Sequence, residues 1–308
     1  MTTRRTLPPV EVDASTPAHA VPHRDPLLAA LPPRARAVVV LEAGAFLATP
    51  LGHMLLRCLD PAQEAELRNA GADVRRIDRV AFAAMEEDQT MMLLSGDFRG
   101  QPRLGALGPR EAPYGDKAQL FAPDEAATDA GTEPDHAPHG ALWNDELWVL
   151  SQSEPALRQA VDRLEGRTVA PESFDPNEAY GEVYGRLDAR FLRRILPSEL
   201  LEKLPDDSLE ADFHADASED VVLTVDVSGR PETTRDLGKG LASLLALSRA
   251  RAVEEGEQRL AELLDVYAVR LDEQGFSLDV AFPQSLVREA LGKCAEPPPD
   301  EDTEDDDA

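Results

Sequence analysis

The chain has 308 residues, 42% of them hydrophobic, which is enough for a substantial core and for two domain-sized units. Aromatic residues make up only 5%, so an aliphatic core is expected and a stacking surface for single-stranded nucleic acid is not. The formal net charge of -28 repels phosphate backbones and anionic lipid head groups, which bind faces rich in Lys and Arg. Composition therefore argues against nucleic acid and anionic membrane surfaces as partners.

The first 33 residues contain seven prolines among small and polar residues, a density that predicts a disordered segment over residues 1–33. A first folded unit is predicted over residues 34–168. Its predicted elements are a buried strand at 37–41, amphipathic helices at 46–59 and 62–70, a hairpin at 79–86 and 90–98, a strand at 117–122, and a strand or tight hairpin at 142–151.

Two further segments complete this unit. Residues 123–138 are rich in Pro, Asp and Ala and are predicted to form a mobile loop. A helix then starts after Ser153, which can cap its first turn, and Pro155 suits that turn because its missing N–H has no partner there. Gly166 is the predicted end of this helix.

A second unit is predicted over residues 178–293, followed by a disordered acidic tail at 294–308 that carries eight carboxylates. In the last hairpin of this unit, Gly275 is expected at a turn position with positive φ. The predicted elements are a strand at 181–187, a helix at 189–204, a hairpin at 210–215 and 221–227, a helical stretch at 233–264 that Gly256 interrupts, a hairpin at 266–271 and 276–282, and a helix at 284–291.

The two units follow the same order of strand, helix, antiparallel strands and closing helix. Residues 39–47 align with residues 183–192 as a strand that turns into a helix beginning with Phe-Leu, and residues 147–164 parallel residues 276–291. The prediction is an α+β fold of two structurally similar halves with disordered termini. Whether the halves form one domain or two stays open.

Residues 263–291 contain the end of a helix, a strand, a Gly turn, a strand ending in Phe282-Pro283 and a short helix. This pattern resembles the closing unit of uncharacterised bacterial cell-envelope proteins, and residues 35–59 are similar to their opening unit. The resemblance implies a duplicated α+β fold with a binding or scaffolding role. It implies no activity and no site residues.

No catalytic, cofactor or metal site is predicted. The chain contains neither GxGxxG, GxxxxGK[ST] nor GxSxG, so the loops that hold phosphates or expose a nucleophilic serine are missing. His136 and His139 have ligand spacing but lie in the predicted mobile loop. Cys58 and Cys294 are not in a metal-ligand spacing, and whether they form a disulfide stays open.

Trp143 and Trp148 form the candidate binding surface. Because side chains alternate along a strand, two residues five apart lie on opposite faces, so one tryptophan is expected in the core and the other exposed. An exposed tryptophan favours a binding surface. The alternative is that both are buried.

The function predicted from these observations is that of a non-catalytic binding or scaffold protein, with another protein as its partner. The alternatives are an enzyme with an unfamiliar site between the halves, and an acidic inhibitor or chaperone-like partner of a basic protein. No apolar run long enough to span a membrane and no signal peptide is found in the sequence as it stands, which predicts a cytoplasmic location and no membrane insertion. A periplasmic or cell-envelope location is the alternative if a leader was removed.

Overall fold

The computed structural model describes residues 25–58, 76–86, 89–100, 104, 107–123, 138–168, 180–195, 209–218, 220–273 and 275–292. These residues form twelve strands and eight helices. The elements up to residue 168 are α1 (Pro26–Ala30), β1 (Ala37–Leu41), α2 (Ala43–Leu47), α3 (Pro50–Cys58), β2 (Ile77–Ala84), β3 (Thr90–Gly96), β4 (Leu107–Tyr114), β5 (Ala118–Pro123), β6 (His139–Trp143), β7 (Leu147–Ser151) and α4 (Glu154–Leu164).

The remaining elements belong to the second half of the chain. They are β8 (Val183–Asp188), α5 (Ala189–Ile195), β9 (Glu210–Asp216), β10 (Val221–Ser228), α6 (Pro231–Glu254), α7 (Gln258–Asp265), β11 (Tyr267–Leu271), β12 (Gly275–Phe282) and α8 (Gln284–Leu291). None of the described helices is both long enough and apolar enough to cross a membrane.

The twelve strands form one antiparallel sheet in the order β11-β12-β10-β9-β8-β1-β2-β3-β7-β6-β5-β4. The two halves of the chain meet in its middle, where β1 pairs with β8 and Val39 lies opposite Gly185. The mixed helical and antiparallel arrangement confirms the predicted α+β class. In the described residues the halves therefore share one sheet.

The alternation of side chains defines two faces of this sheet. Face A is the side on which α1 and α4 pack, where Val40, Ala81 and Leu93 form a buried core with Leu27 of α1 and Leu157 of α4. Face B is the opposite side, on which α2, α5 and α6 lie. In the second half, face A has polar side chains and face B has apolar ones.

Helix α1 corrects the predicted disordered segment, since it lies inside residues 1–33. Asp25 caps it by accepting a hydrogen bond from the backbone N–H of Leu27 at 3.0 Å, and Pro26 occupies its first turn. Leu27 and Leu31 are buried against the core of face A. Capping and burial thus outweigh the high proline content at this point.

Several other predictions are confirmed with adjusted bounds. All three predicted hairpins form, as β2–β3, β9–β10 and β11–β12, and helix α4 begins after its Ser153 cap. The predicted helix at 46–59 is divided at Pro50 into α2 and α3. The helix predicted at 62–70 and the acidic tail lie outside the described residues, and β4 was not predicted.

Gly275 has a different role from the one expected. Its φ is not positive, and a Cβ at this position would lie 1.9 Å from the carbonyl oxygen of Val227 on β10. The residue is needed because the two backbones approach closely. The predicted break in the long helix is confirmed, since Gly256 lies between α6 and α7 with a φ of 76°.

Candidate functional site

A large apolar pocket lies on face B between α5 and α6, and we call it the α5–α6 pocket. Its volume is about 830 Å³. Its floor is formed by side chains of β9, β10 and β12, and Leu192 of α5 forms one wall. The described lining residues are Leu192, Leu209, Ala211, Val225, Val227, Thr233, Asp236, Leu237, Gly240, Leu241, Ser243, Leu244, Leu247, Phe276 and Leu278.

The pocket exists because α6 is held to one side of the sheet. Gly238 lets α6 approach the sheet closely, since a Cβ there would lie 2.7 Å from Leu271 Cδ2 and 2.8 Å from Phe276 Cγ. Thr234, one turn earlier, is fully buried. Helix α6 therefore packs mainly on β11 and β12, while α5 packs on β8, and the described helices cover the strands between them incompletely.

Gly240 opens the middle of the pocket. On a helix, residues three and four apart share a face, so Thr233, Leu237, Gly240, Leu244 and Leu247 form one stripe that lines the pocket. A Cβ at Gly240 would meet no atom within 4 Å. The residue at the centre of the lining stripe thus lacks a side chain where there is space for one.

The lining is apolar over most of its length. Leu244 and Leu247 are 50% and 69% exposed, although each faces the pocket. Apolar surface in contact with water costs roughly 25 cal/mol per Å², so an apolar ligand that covered these side chains would be stabilised. The one charged lining residue among those described is Asp236, whose carboxylate lies 3.1 Å from Lys239 Nζ on the solvent side.

A second, smaller apolar cavity of about 260 Å³ lies on the same face in the first half. Helices α2 and α3 form its roof, with Phe46, Leu55 and Leu56 facing Ile77 and Val80 of β2. Leu55 and Leu56 are partly exposed at its mouth. This cavity has less than a third of the volume of the α5–α6 pocket and lies below the usual size of ligand pockets.

The polar part of face A brings together His214, Asp226, Ser277 and Tyr180. The Tyr180 hydroxyl is in contact with His214 Nε2, and the two rings stack with centroids 3.8 Å apart. Asp226 Oδ2 lies 3.5 Å from His214 Nε2, and Ser277 Oγ donates to Asp226 Oδ1 at 2.5 Å. Because the Ser277 proton goes to a carboxylate and not to the histidine, this cluster lacks the pairing of nucleophile and base.

A partly buried polar network joins the two halves on face A. Arg79 of β2 donates from Nε to Glu42 Oε1 at 2.8 Å, from Nη2 to the Tyr184 hydroxyl at 2.6 Å, and from Nη1 to Asp25. Tyr184 donates in turn to Glu42 Oε1 at 2.9 Å. Burial raises the pKa of Tyr184 to about 12. The groups of this network are hydrogen-bonded to one another, which is typical of a structural role.

The structure separates the two tryptophans predicted to form a binding surface. Trp143 lies on face A, half-buried against the core, with Lys117 Nζ 5.3 Å from its ring centroid. Trp148 lies on face B and is fully buried between Phe98 and Phe121. The two tryptophans lie on opposite faces as expected, but Trp148 cannot contribute to a surface because it is fully buried in the core of face B.

Within the described part of the chain, no group of three His, Cys, Asp or Glu side chains is placed to bind a metal. His139 lies in β6, and His136 lies outside the described residues. Cys58, the last residue of α3, is disulfide-bonded. Cys294, the other cysteine of the chain, lies outside the described residues.

The sequence did not point to the α5–α6 pocket, although one signal was present. Gly238 and Gly240 flank Lys239 in a helical context, which excludes a phosphate-binding loop. Two glycines in the middle of a Leu- and Ala-rich helix each cost helix stability, so each indicates a packing or binding requirement.

Comparisons with known proteins place the chain in no family. No family model matches the sequence, and no curated protein matches it. Among solved structures it is similar to crystal form I of TP0453, with a TM-score of 0.40 and 10% sequence identity over 87% of this chain and 97% of that chain. The resemblance to cell-envelope proteins therefore stays a prediction.

Proposed function

We propose that this protein is a non-catalytic binding protein that holds an apolar ligand in the α5–α6 pocket. The observation that carries this proposal is the pocket itself, an apolar space of about 830 Å³ between α6 and the sheet. Ligand pockets commonly measure about 300–1,000 Å³ and combine an apolar lining with a few polar groups. Thr233, Asp236 and Ser243 are the polar lining groups here.

The shape of the site favours a small ligand over the protein partner that the sequence suggested. A space between a helix and a sheet presents apolar surface on more than one side, whereas protein partners usually meet flatter surfaces. Protein partners remain an expectation for other surfaces of the molecule.

The chemistry of the lining supports a non-catalytic role. Proton transfer and nucleophilic attack need titratable groups aimed at a bound substrate. The one titratable side chain among the described lining residues is Asp236, which is largely exposed beside Lys239. The serine and histidine of the polar cluster lie on the other face of the sheet, away from this pocket.

We also propose that the two halves share one structural plan. Strand order supports this, since β1-β2-β3-β7-β6 in the first half corresponds to β8-β9-β10-β12-β11 in the second. A short helix follows the first strand in each half, as α2 and α5, and a helix follows β7 and β12. Superposition of the halves in a crystal structure tests the idea, and a mismatch in helix direction would oppose it.

For the compartment, we propose an oxidising location such as the periplasm or cell envelope, in place of the cytoplasm. The disulfide at Cys58 supports it, because disulfides persist mainly in the periplasm and in secreted proteins. Thiol alkylation of the protein taken directly from its host, followed by mass spectrometry, tests this. Alkylation of Cys58 without prior reduction would contradict it.

The proposed binding function is tested with Nile red, an uncharged dye whose emission rises in apolar surroundings. The wild-type chain is expected to bind it saturably. Gly240→Leu places a side chain in the pocket and is expected to weaken binding by about tenfold or more, because the new Leu replaces contacts worth about 1.5–3 kcal/mol.

Gly240→Ala is the matched control. This variant gains about as much helix propensity as Gly240→Leu but adds almost no volume to the pocket. It is therefore expected to bind Nile red like the wild type. Thermal unfolding of both variants confirms that they fold. Absence of saturable binding in the wild type, or equal binding by Gly240→Leu, would refute the proposal.

A further inference from the structure

The polarity of the α5–α6 pocket changes along α6. Thr233 and Asp236 lie at the beginning of the helix, while Leu237, Leu241 and Leu244 follow along the lining. Leu247 is the last lining residue, and the part of α6 beyond Asp236 contributes one hydroxyl, that of Ser243. The pocket thus has one polar end and one apolar end.

The pocket is also elongated. The lining residues of α6 run from Thr233 to Leu247, which corresponds to about 21 Å at 1.5 Å per residue. The floor contributes side chains from three adjacent strands, Ala211 of β9, Val225 and Val227 of β10, and Phe276 and Leu278 of β12. An apolar space of this length suits an extended chain better than a compact ring system.

The charged side chain that lines the polar end is a carboxylate, which repels an anion at short range. Asp236 is the one charged group among the described lining residues, and Lys239 already pairs with it. Glu232, in the first turn of α6, is exposed nearby. The whole chain has a formal net charge of -28, which adds a repulsive long-range field.

From this gradient of polarity we propose that the ligand is a single-chain amphiphile with an uncharged or cationic head group. Its hydrocarbon chain lies along α6 toward Leu247, and its head group lies beside Thr233 and Asp236. The inference rests on the proposed binding function and specifies the class of ligand for the same pocket.

The test is displacement of Nile red from the full-length protein by three series of amphiphiles at concentrations where they are monomeric. The series are alkyl alcohols, alkyl trimethylammonium salts and alkanoates, each with dodecyl, tetradecyl, hexadecyl and octadecyl chains. A compact polycyclic hydrocarbon is included for comparison.

Affinity is expected to rise by up to about fourfold for each added methylene until the chain fills the pocket. At equal chain length the alkanoate is expected to bind about fivefold more weakly than the alcohol. The reason is repulsion between its carboxylate and that of Asp236, which costs about 1 kcal/mol for two like charges about 4 Å apart in water. The trimethylammonium compound is expected to bind at least as well as the alcohol.

Two variants locate the head group. Asp236→Asn removes the carboxylate at the polar end and is expected to bring the alkanoate close to the alcohol in affinity. Glu254→Gln makes the same change of charge at the last residue of α6, eighteen residues further on, and is expected to leave the difference unchanged. Both positions are exposed, so neither substitution should affect folding.

Three results would overturn the inference while leaving the binding function intact. These are affinity that does not depend on chain length, a compact hydrocarbon that displaces the dye better than any chain, and an alkanoate that binds as well as the alcohol. If Nile red itself does not bind to the wild type, the proposed function fails as well.

Discussion

Helices cover the sheet differently in two regions of the molecule. One region is the closed core of face A in the first half, and the other is the open apolar side of face B in the second half. Helices α1 and α4 lie side by side over the first, and Leu93, Val149 and Leu157 are buried there. Helix α6 covers the second incompletely and leaves a pocket of about 830 Å³. Because protein interiors are normally close-packed, an apolar space of this size supports the binding site that we propose.

The largest expected effect distinguishes the closed core from the pocket. Leu157→Ala in α4 removes a fully buried side chain and leaves a cavity, so it is expected to lower the free energy of unfolding by about 3 kcal/mol. Leu244→Ala in α6 removes a half-exposed side chain and is expected to cost less than about 0.5 kcal/mol. Urea denaturation measures both, and equal losses would contradict the difference.

The second effect concerns the polar network beside the closed core. Tyr184 has a pKa of about 12 in the folded protein and about 10 when unfolded, so it ionises first in the unfolded chain. The contribution of Tyr184 to the free energy of unfolding is fully present below pH 10. It falls by about 2 kcal/mol as the pH rises toward 12.

The matched variant for this prediction is Tyr184→Phe, which should lack that part of the pH dependence. Unfolding is measured by denaturant at several pH values for both proteins. If the free energy of unfolding changed with pH in the same way for both proteins between pH 10 and pH 12, burial and the hydrogen bond to Glu42 would not raise the pKa of Tyr184.

The third effect compares two glycines on α6, one at the packed side of the helix and one at the pocket. Gly238→Ala is expected to destabilise the protein by about 1–3 kcal/mol, because its Cβ would collide with Leu271 and Phe276. Gly240→Ala is expected to stabilise it by about 0.5–1 kcal/mol, because alanine favours the helix and the space is open. Thermal unfolding gives both values, and a loss at Gly240 would mean that the pocket is narrower than described.

The hairpins could be predicted from the sequence because their determinants are local. Alternating apolar residues from Val221 to Val227 place one side of β10 on face B, and Asn144 and Asp145 adopt the positive φ values of a tight turn. Strand β4 escaped prediction because Pro109 and Pro113 argue against a central strand. The structure places β4 at the sheet edge, where proline is tolerated.

The pocket could not be predicted in the same way because it depends on distant contacts. The position of α6 is set by Gly238 against Leu271 and Phe276, more than thirty residues further along the chain. The width of the space between α5 and α6 also depends on Leu192 of α5, which lies a similar number of residues before α6 in the sequence. Periodicity shows that α6 is a helix, but it does not give the separation between two helices on a shared sheet.

The most direct test is a leucine methyl NMR titration of the full-length protein with hexadecyl alcohol. Saturable shifts are expected at the methyl groups of Leu241 and Leu278, which line the pocket, and none at Leu93 and Leu157 in the closed core. Unshifted pocket methyl groups, or shifts of equal size at the core leucines, would contradict this expectation.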